Sequence, residues 1–214
     1  MFDNFFRAAT RIADIGATLY NRGLVPATAG NFSIRLHDGT LAVTASGVDK
    51  GFLKQTDILH LKPDGSPLTP LPATVKCSAE TLLHTRLYAD NPEIGCVLHT
   101  HSRPAVVLSR FLRRRGQDTL ILNDHELLKA FAGITHHETP VALPLLDNSQ
   151  DMELLSTEAS ARLAALDTPA IGYLIAGHGL YTWGADARAA FIAVEAIEFL
   201  LQTELETRLL EGHS

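Results

Sequence analysis

The spacing of apolar positions along this chain switches repeatedly between a helical period and a strand period. Phe6, Ala9, Ala13, Gly16 and Tyr20 recur at helical spacing; Asp3 can cap this segment and Gly23 can stop it, so residues 3–22 are predicted to be helical. Residues 31–36 and 41–45 alternate as strands around His37-Asp38-Gly39-Thr40, a hairpin signal. Residues 58–62 form a further short strand closed by Pro63-Asp64-Gly65, and 66–76 are a proline-rich loop. Ser78 is expected to cap a helix running to about Tyr88. An apolar run, Ile94 to Leu98, reads as a buried strand and precedes a helix capped by Ser102. Residues 120–122 make a short strand, and Asn123 is expected to cap a helix ending at Gly133. A strand at 141–145, a helix at 151–165, strands at 170–176 and 180–183, and a long amphipathic helix from Asp186 to about Leu210 complete the pattern. No internal repeat, low-complexity tract or linker interrupts it. Strands interleaved with helices imply a three-layer α/β arrangement.

Composition narrows the class. The chain has 214 residues, enough for one domain over 1–214, and is 46% hydrophobic and 20% charged, an ordinary globular balance. A net charge of -6 gives no general attraction to nucleic acid or to an anionic membrane. Arg110 and Arg113-Arg114-Arg115 form the one basic cluster, without the aromatic interleaving or wide basic face of a nucleic-acid surface. Cys77 and Cys96, the two cysteines, cannot build a disulfide framework and fit a reducing cytoplasm. The N-terminal stretch has Asp3, Arg7 and Arg11 and no continuous apolar core, unlike a signal peptide, and no stretch is long and apolar enough to span a bilayer. The expectation is a cytoplasmic protein.

The candidate chemistry begins where the apolar run ends, at His99-Thr100-His101. Side chains two apart on a strand share a face, so both imidazoles would project together, as metal ligands do. Two separately solvated or core histidines are the competing reading, and ten histidines in the chain make chance pairs a real consideration. His178, between Gly177 and Gly179 in a tight turn, is a candidate third ligand; three histidines leave one position open, the pattern of a catalytic zinc. Glu126 and Lys129, three apart on the predicted helix, share a face and could serve an open metal site as acid/base and ammonium, or be a solvated ion pair. Glu80, in the first turn after Ser78, carries the same ambiguity. Thr28-Ala29-Gly30-Asn31 and Ser46-Gly47 are small loops at strand ends that can present N–H groups to a phosphate, with the Ser78 hydroxyl beside them, or be ordinary turns.

Taken together, these residues resemble the class II aldolase/adducin family over about residues 10–205. The carrying motifs are Ala27-Thr28-Ala29-Gly30-Asn31-Phe32-Ser33, Ala45-Ser46-Gly47, Cys77-Ser78-Ala79-Glu80-Thr81, Val97-Leu98-His99-Thr100-His101-Ser102, His125-Glu126-Leu127-Leu128-Lys129, and Gly177-His178-Gly179-Leu180-Tyr181-Thr182-Trp183-Gly184. Within the family, the His-Thr-His-Ser, Glu-Leu-Leu-Lys and Tyr-Thr-Trp-Gly forms are similar to the members that dehydrate 5-methylthioribulose 1-phosphate in methionine salvage. The resemblance implies an α/β/α fold with a central mixed, largely antiparallel sheet. It also implies one zinc per subunit on His99, His101 and His178, Glu126 as the acid/base, and Cys77 and Lys129 near the substrate. The family's sugar-phosphate aldolases bind phosphate at positions matching Thr28, Asn31, Ser46, Gly47 and Ser78, and their catalytic carboxylate matches Glu80, here the candidate second acid/base. Cys-Ser-Ala-Glu stands where those enzymes usually have Pro-Ser-Ser-Glu. A homotetramer with sites near subunit interfaces is implied as well. The expected function is a zinc-dependent hydro-lyase acting on a small phosphorylated ketose. The alternatives are a zinc-dependent sugar-phosphate aldolase or epimerase using Glu80, a non-catalytic adducin-like binding protein, and a phosphate-binding module.

Overall fold

A computed structural model describes residues 4–212. Five α-helices flank an eight-stranded sheet: α1 (Phe5–Asn21), β1 (Asn31–Arg35), β2 (Leu41–Thr44), β3 (Ile58–Leu61), α2 (Thr81–Asp90), β4 (Cys96–Thr100), α3 (Arg103–Arg114), β5 (Thr119–Leu122), β6 (Val141–Leu146), α4 (Met152–Ala164), β7 (Gly172–Ile175), β8 (Gly179–Gly184) and α5 (Ala187–Glu211). The strand order is β3-β2-β1-β4-β8-β7-β6-β5. Only β6 and β7 run parallel; the other neighbours are antiparallel, giving the mixed, largely antiparallel sheet expected.

Both faces of the sheet are covered, which is why the central strands read as unbroken apolar runs. On β4, Cys96 and Leu98 pack with Phe32 and with Ala8 and Ile12 of α1, and with Ala190 and Val194 of α5. Val97 points the other way, among Leu83 and Leu87 of α2 and Leu155 of α4. A third cluster fills the space between α3, α5 and strands β5 to β8. Strand parity therefore sends His99 to the α2 face and Thr100 to the α5 face, where its hydroxyl donates to Glu198 Oε1 at 2.5 Å.

Local chemistry sets most boundaries, and several expected caps differ. Asn4 caps α1 by accepting from the Arg7 N–H at 3.0 Å; Asp3, the expected cap, lies outside the described residues. The buried stripe of α1 is Ala8, Ala9, Ile12, Gly16 and Leu19, so Phe6 and Tyr20 of the predicted stripe stay exposed. The shift follows from Gly16, where a Cβ would come within 2.4 Å of the Lys50 carbonyl: a 3-10 turn, Lys50–Phe52, docks on this spot. Helix α2 starts at Thr81 rather than at Ser78, whose hydroxyl instead accepts from the Glu80 N–H at 3.2 Å in a preceding turn. The helix expected after Asn123 is a 3-10 helix, Glu126–Ala130, with His125 at its N-cap position. Asp124 takes a left-handed φ of 59°, which turns the chain once more after β5 and removes Asn123 from the capping position. Ser102, Asp151 and Asp186 cap α3, α4 and α5. Among the described residues no helix is long and apolar enough to cross a membrane.

Strand β8 lies so close to β4 that a Cβ on Gly179 would sit 1.9 Å from the Thr100 carbonyl oxygen. Gly179→Ala is expected to lower the stability of the chain by about 1–3 kcal/mol through forced displacement of this strand pair. Urea denaturation checks this as a lower midpoint at an unchanged slope; an unchanged midpoint would show that the two strands can part freely.

Candidate metal centre and adjoining cavity

The β4–β8 pairing sets His99 opposite Tyr181, and the turn that enters β8 brings His178 over the end of β4. One ligand atom from each of His99, His101 and His178 falls within 4.8 Å of the others. His99 is fully buried, and its Nδ1 donates to the Leu180 carbonyl at 2.9 Å, leaving Nε2 free to face inward. The rings of His99 and Tyr181 stack at 4.0 Å with 13° between planes, which fixes the imidazole's plane. The His101 backbone N–H donates to Leu24 O at 2.8 Å, tying the loop after α1 to the site. His178 Nδ1 lies 3.3 Å from Asn148 Oδ1.

The donor set fits a divalent metal. His99 Nε2 and His178 Nε2 are 3.3 Å apart; two nitrogens on a tetrahedral cation at zinc-like bond lengths would be separated by about 3.3 Å. Burial drives His99 well below its ordinary pKa against the pull of the Glu80 carboxylate. Burial likewise pushes His101 down to about 4, helped by the neighbouring His178. Neutral imidazoles present lone pairs rather than N–H groups, as metal ligation needs.

Glu80 closes the site on its α2 side. Its Oε1 is 2.9 Å from His178 Nε2 and 3.8 Å from His99 Nε2, and its Oε2 accepts from the Asn31 side-chain amide. Burial alone would raise its pKa, but the hydrogen bond from His178, the fields of His99 and His178 and the Asn31 amide outweigh it and hold the carboxyl at about 2. Behind Asn31, His84 Nε2 meets Asn31 Oδ1, and His84 Nδ1 meets Ser33 Oγ at 2.7 Å. Ser33 in turn meets Tyr88 OH at 2.7 Å.

Next to the histidines is a cavity of about 250 Å³ lined by Thr28, Gly30, Asn31, Ser46, Gly47, Ser78, Glu80 and His101. The five positions expected to meet a phosphate thus share one wall-set with a metal-ligand candidate and the carboxylate. Gly30 and Gly47 adopt left-handed φ values of 79° and 75°, which only glycine takes without strain. Cys77 is half-buried beside Ser78, and burial raises its thiol pKa. Glu126 and Lys129 are not in this wall; they form a surface ion pair with each other, with side chains 71% and 45% exposed. The sequence pattern passed over Lys50, Asn148 and His84, and it marked Tyr181 only as a motif position, without its stacking role on His99. Lys50 carried a weak signal, a lysine just after the Ser46-Gly47 loop; the other two became visible only as contacts.

The family model for the class II aldolase and adducin N-terminal domain matches residues 10–205. This chain belongs to the class II aldolase and adducin family. A methylthioribulose-1-phosphate dehydratase of Pseudomonas paraeruginosa is 50% identical over 207 residues, covering 96% of this chain and 97% of that relative. One from Gluconobacter oxydans is 45% identical, covering 95% and 93%. Among solved structures, L-fuculose-1-phosphate aldolase from Thermus thermophilus superposes with a TM-score of 0.74 at 26% identity, over 98% of this chain and 99% of that one. A Thermotoga maritima sugar-phosphate aldolase, at 21% identity and a TM-score of 0.70, shares the class II aldolase fold.

The buried hydrogen-bond chain behind the site makes stability depend on pH. Burial pushes His84 down to about 4, against the Glu80 field, whereas in the unfolded chain it titrates near about 6.5. Between these values the unfolded chain takes a proton that the native His84 refuses, so stability is full above about pH 6.5 and falls as the pH drops. By about pH 4 this group alone removes about 3 kcal/mol. Denaturation of the metal-free protein at pH 7 and pH 4.5 is expected to show the fall. A shallower fall is expected in His84→Gln; equal slopes in the two proteins would remove His84 from the account.

Proposed function

We propose that this chain is a zinc-dependent hydro-lyase that converts 5-methylthioribulose 1-phosphate to 2,3-diketo-5-methylthiopentyl 1-phosphate and water, working as one domain over residues 1–214. The observation that carries the proposal is the convergence of His99, His101 and His178 beside a small polar cavity. Relatives 45–50% identical over nearly the whole chain bear the dehydratase name and supply the substrate. Three imidazoles are the kind of donor set that would hold zinc in a catalytic site.

His99, His101 and His178 would hold the zinc, which would supply Lewis acidity to the substrate's oxygens. The chain's own groups do the rest. The loops carrying Thr28, Asn31, Ser46 and Gly47, with Ser78, hold the phosphate. Glu126 removes the C3 proton and delivers a proton to the departing C4 hydroxyl, which leaves as water; Lys129, paired with Glu126, keeps that carboxylate ionised until it acts. Ketonisation of the resulting enol gives the diketone. Cys77, next to Ser78, would meet the substrate from the rim of the site.

A second reading has its own observation. Glu80 is half-buried against His178 and His99, whereas Glu126 stands on the surface, so Glu80 is the better-placed acid/base for an aldolase or epimerase reaction. A homotetramer in the reducing cytoplasm completes the proposal. The exposed Val107, Phe111, Leu127, Ile192 and Phe199 are apolar surface that a neighbouring copy would cover, which would also enclose the Glu126 segment.

Two measurements test the proposal. Glu126→Gln is expected to keep its zinc and lose about 10²–10⁴-fold in turnover, while His99→Ala loses both metal and turnover. If Glu80→Gln is inactive, Glu126→Gln is fully active and carbon–carbon cleavage products accumulate, the aldolase reading replaces this one. Native mass spectrometry of the wild type is expected to give four chains; a monomer that turns over at full rate would refute the shared assembly.

A further inference from the structure

Lys50 is a buried cation without a buried anion. It is 1% exposed, lines the cavity beside the histidines and starts the 3-10 turn that docks on Gly16 of α1. Asp49 fixes this turn by accepting from the Gly51 N–H at 2.8 Å. The ammonium donates to Thr28 O at 2.8 Å and to Val48 O at 2.6 Å. Those carbonyls belong to the two loops that carry Gly30 and Gly47, so one side chain joins both halves of the cavity wall. Two of its three donors are spent in this way. Among the described residues it makes no ion pair: Asp49 and Glu80 act on it only through space, and burial outweighs both in lowering its pKa.

Taking an ammonium out of water without a counter-ion is costly, and two carbonyls offset only part of that cost. The cavity that Lys50 faces has the features of an anion cradle: glycine loops, serine and threonine hydroxyls, and one carboxylate, Glu80, turned aside toward His178 and Asn31. We propose that Lys50 is the cationic anchor of the phosphate cradle, its third Nζ–H donating to a phosphate oxygen of the bound substrate while the other two hold the loops in place. The missing counter-ion of the folded chain is thus the substrate's phosphate. This rests on the reading that the site takes a phosphorylated ketose, and it assigns a substrate-binding role to a residue outside the motif positions.

The test binds inorganic phosphate by calorimetry to the zinc-loaded wild type, to Lys50→Gln, which loses the charge but keeps amide donors, and to Lys50→Met. Both variants are expected to weaken phosphate and to raise KM for the phosphorylated ketose by about 10–100-fold, with kcat changed only a few-fold. Unchanged phosphate affinity in folded variants, accompanied only by a lower melting temperature, would overturn the proposal and leave Lys50 as a loop staple. A wild type that turns over the ketose but shows neither phosphate binding nor competitive inhibition by phosphate would also overturn it, while leaving the dehydratase reading intact. A wild type that binds phosphate with the expected Lys50 dependence but lacks turnover would do the reverse. If neither variant folds, the wild type still decides: the Lys50 side-chain NMR signal, assigned by replacing the other lysines singly with arginine, shifts on adding phosphate, and an unmoved signal refutes the contact.

Discussion

The close contact between β4 and β8 is the constraint on which the site depends. Residues 96–100 pair with 180–184 in one antiparallel register, and Gly179 lets the incoming turn press against the Thr100 carbonyl. That contact places a histidine from position 178 beside one from position 99. Register in a sheet is all or nothing, because a slip by one residue sends every side chain to the opposite face. A slip here would exchange His99 with Thr100 and leave the metal site with a hydroxyl that now serves Glu198 on the α5 face. The apolar burial on both faces of β4 resists such a slip, so the hydrophobic core and the metal centre are secured by the same pairing.

Polar groups around this strand end back one another in layers. His99 is oriented by a backbone carbonyl and by ring stacking, both inside the core. Glu80 is held by Asn31, Asn31 by His84, and His84 by Ser33, so the carboxylate's position is set from the β1 strand outward. Low local dielectric strengthens each link and also makes each link expensive to leave unmade. Lys50 belongs to the same economy of buried charge, joined to the loops by carbonyls rather than to a carboxylate.

The family's fold hosts more than one chemistry, and this chain holds its two candidate carboxylates in different settings. Glu80 sits against His178 and His99 within the single chain. Glu126 stands on a short 3-10 helix beside exposed apolar residues of α5. A carboxylate hydrogen-bonded by its own chain, as Glu80 is by Asn31, is positioned by that chain, whereas an exposed one is positioned by whatever covers it. The two glutamates are therefore subject to different kinds of control, even though either can move a proton.

Sequence alone determined the alternation of elements, the covered strands, and the pairing of His99 with His101 on one face, because periods of 2 and 3.6 residues follow from local backbone geometry. It also marked Thr28, Ser46, Gly47 and Ser78 as loop residues able to meet an anion, and motif order carried the family. Tertiary structure alone decided that His178 joins the other two, since 76 residues of chain separate it from His101. It likewise decided the three-link chain behind Glu80, the burial of Lys50, the later start of α2 and the 3-10 form of the Glu126 segment. These depend on contacts between distant segments, and on one left-handed residue, Asp124, whose effect on a helix cap has no periodic signature.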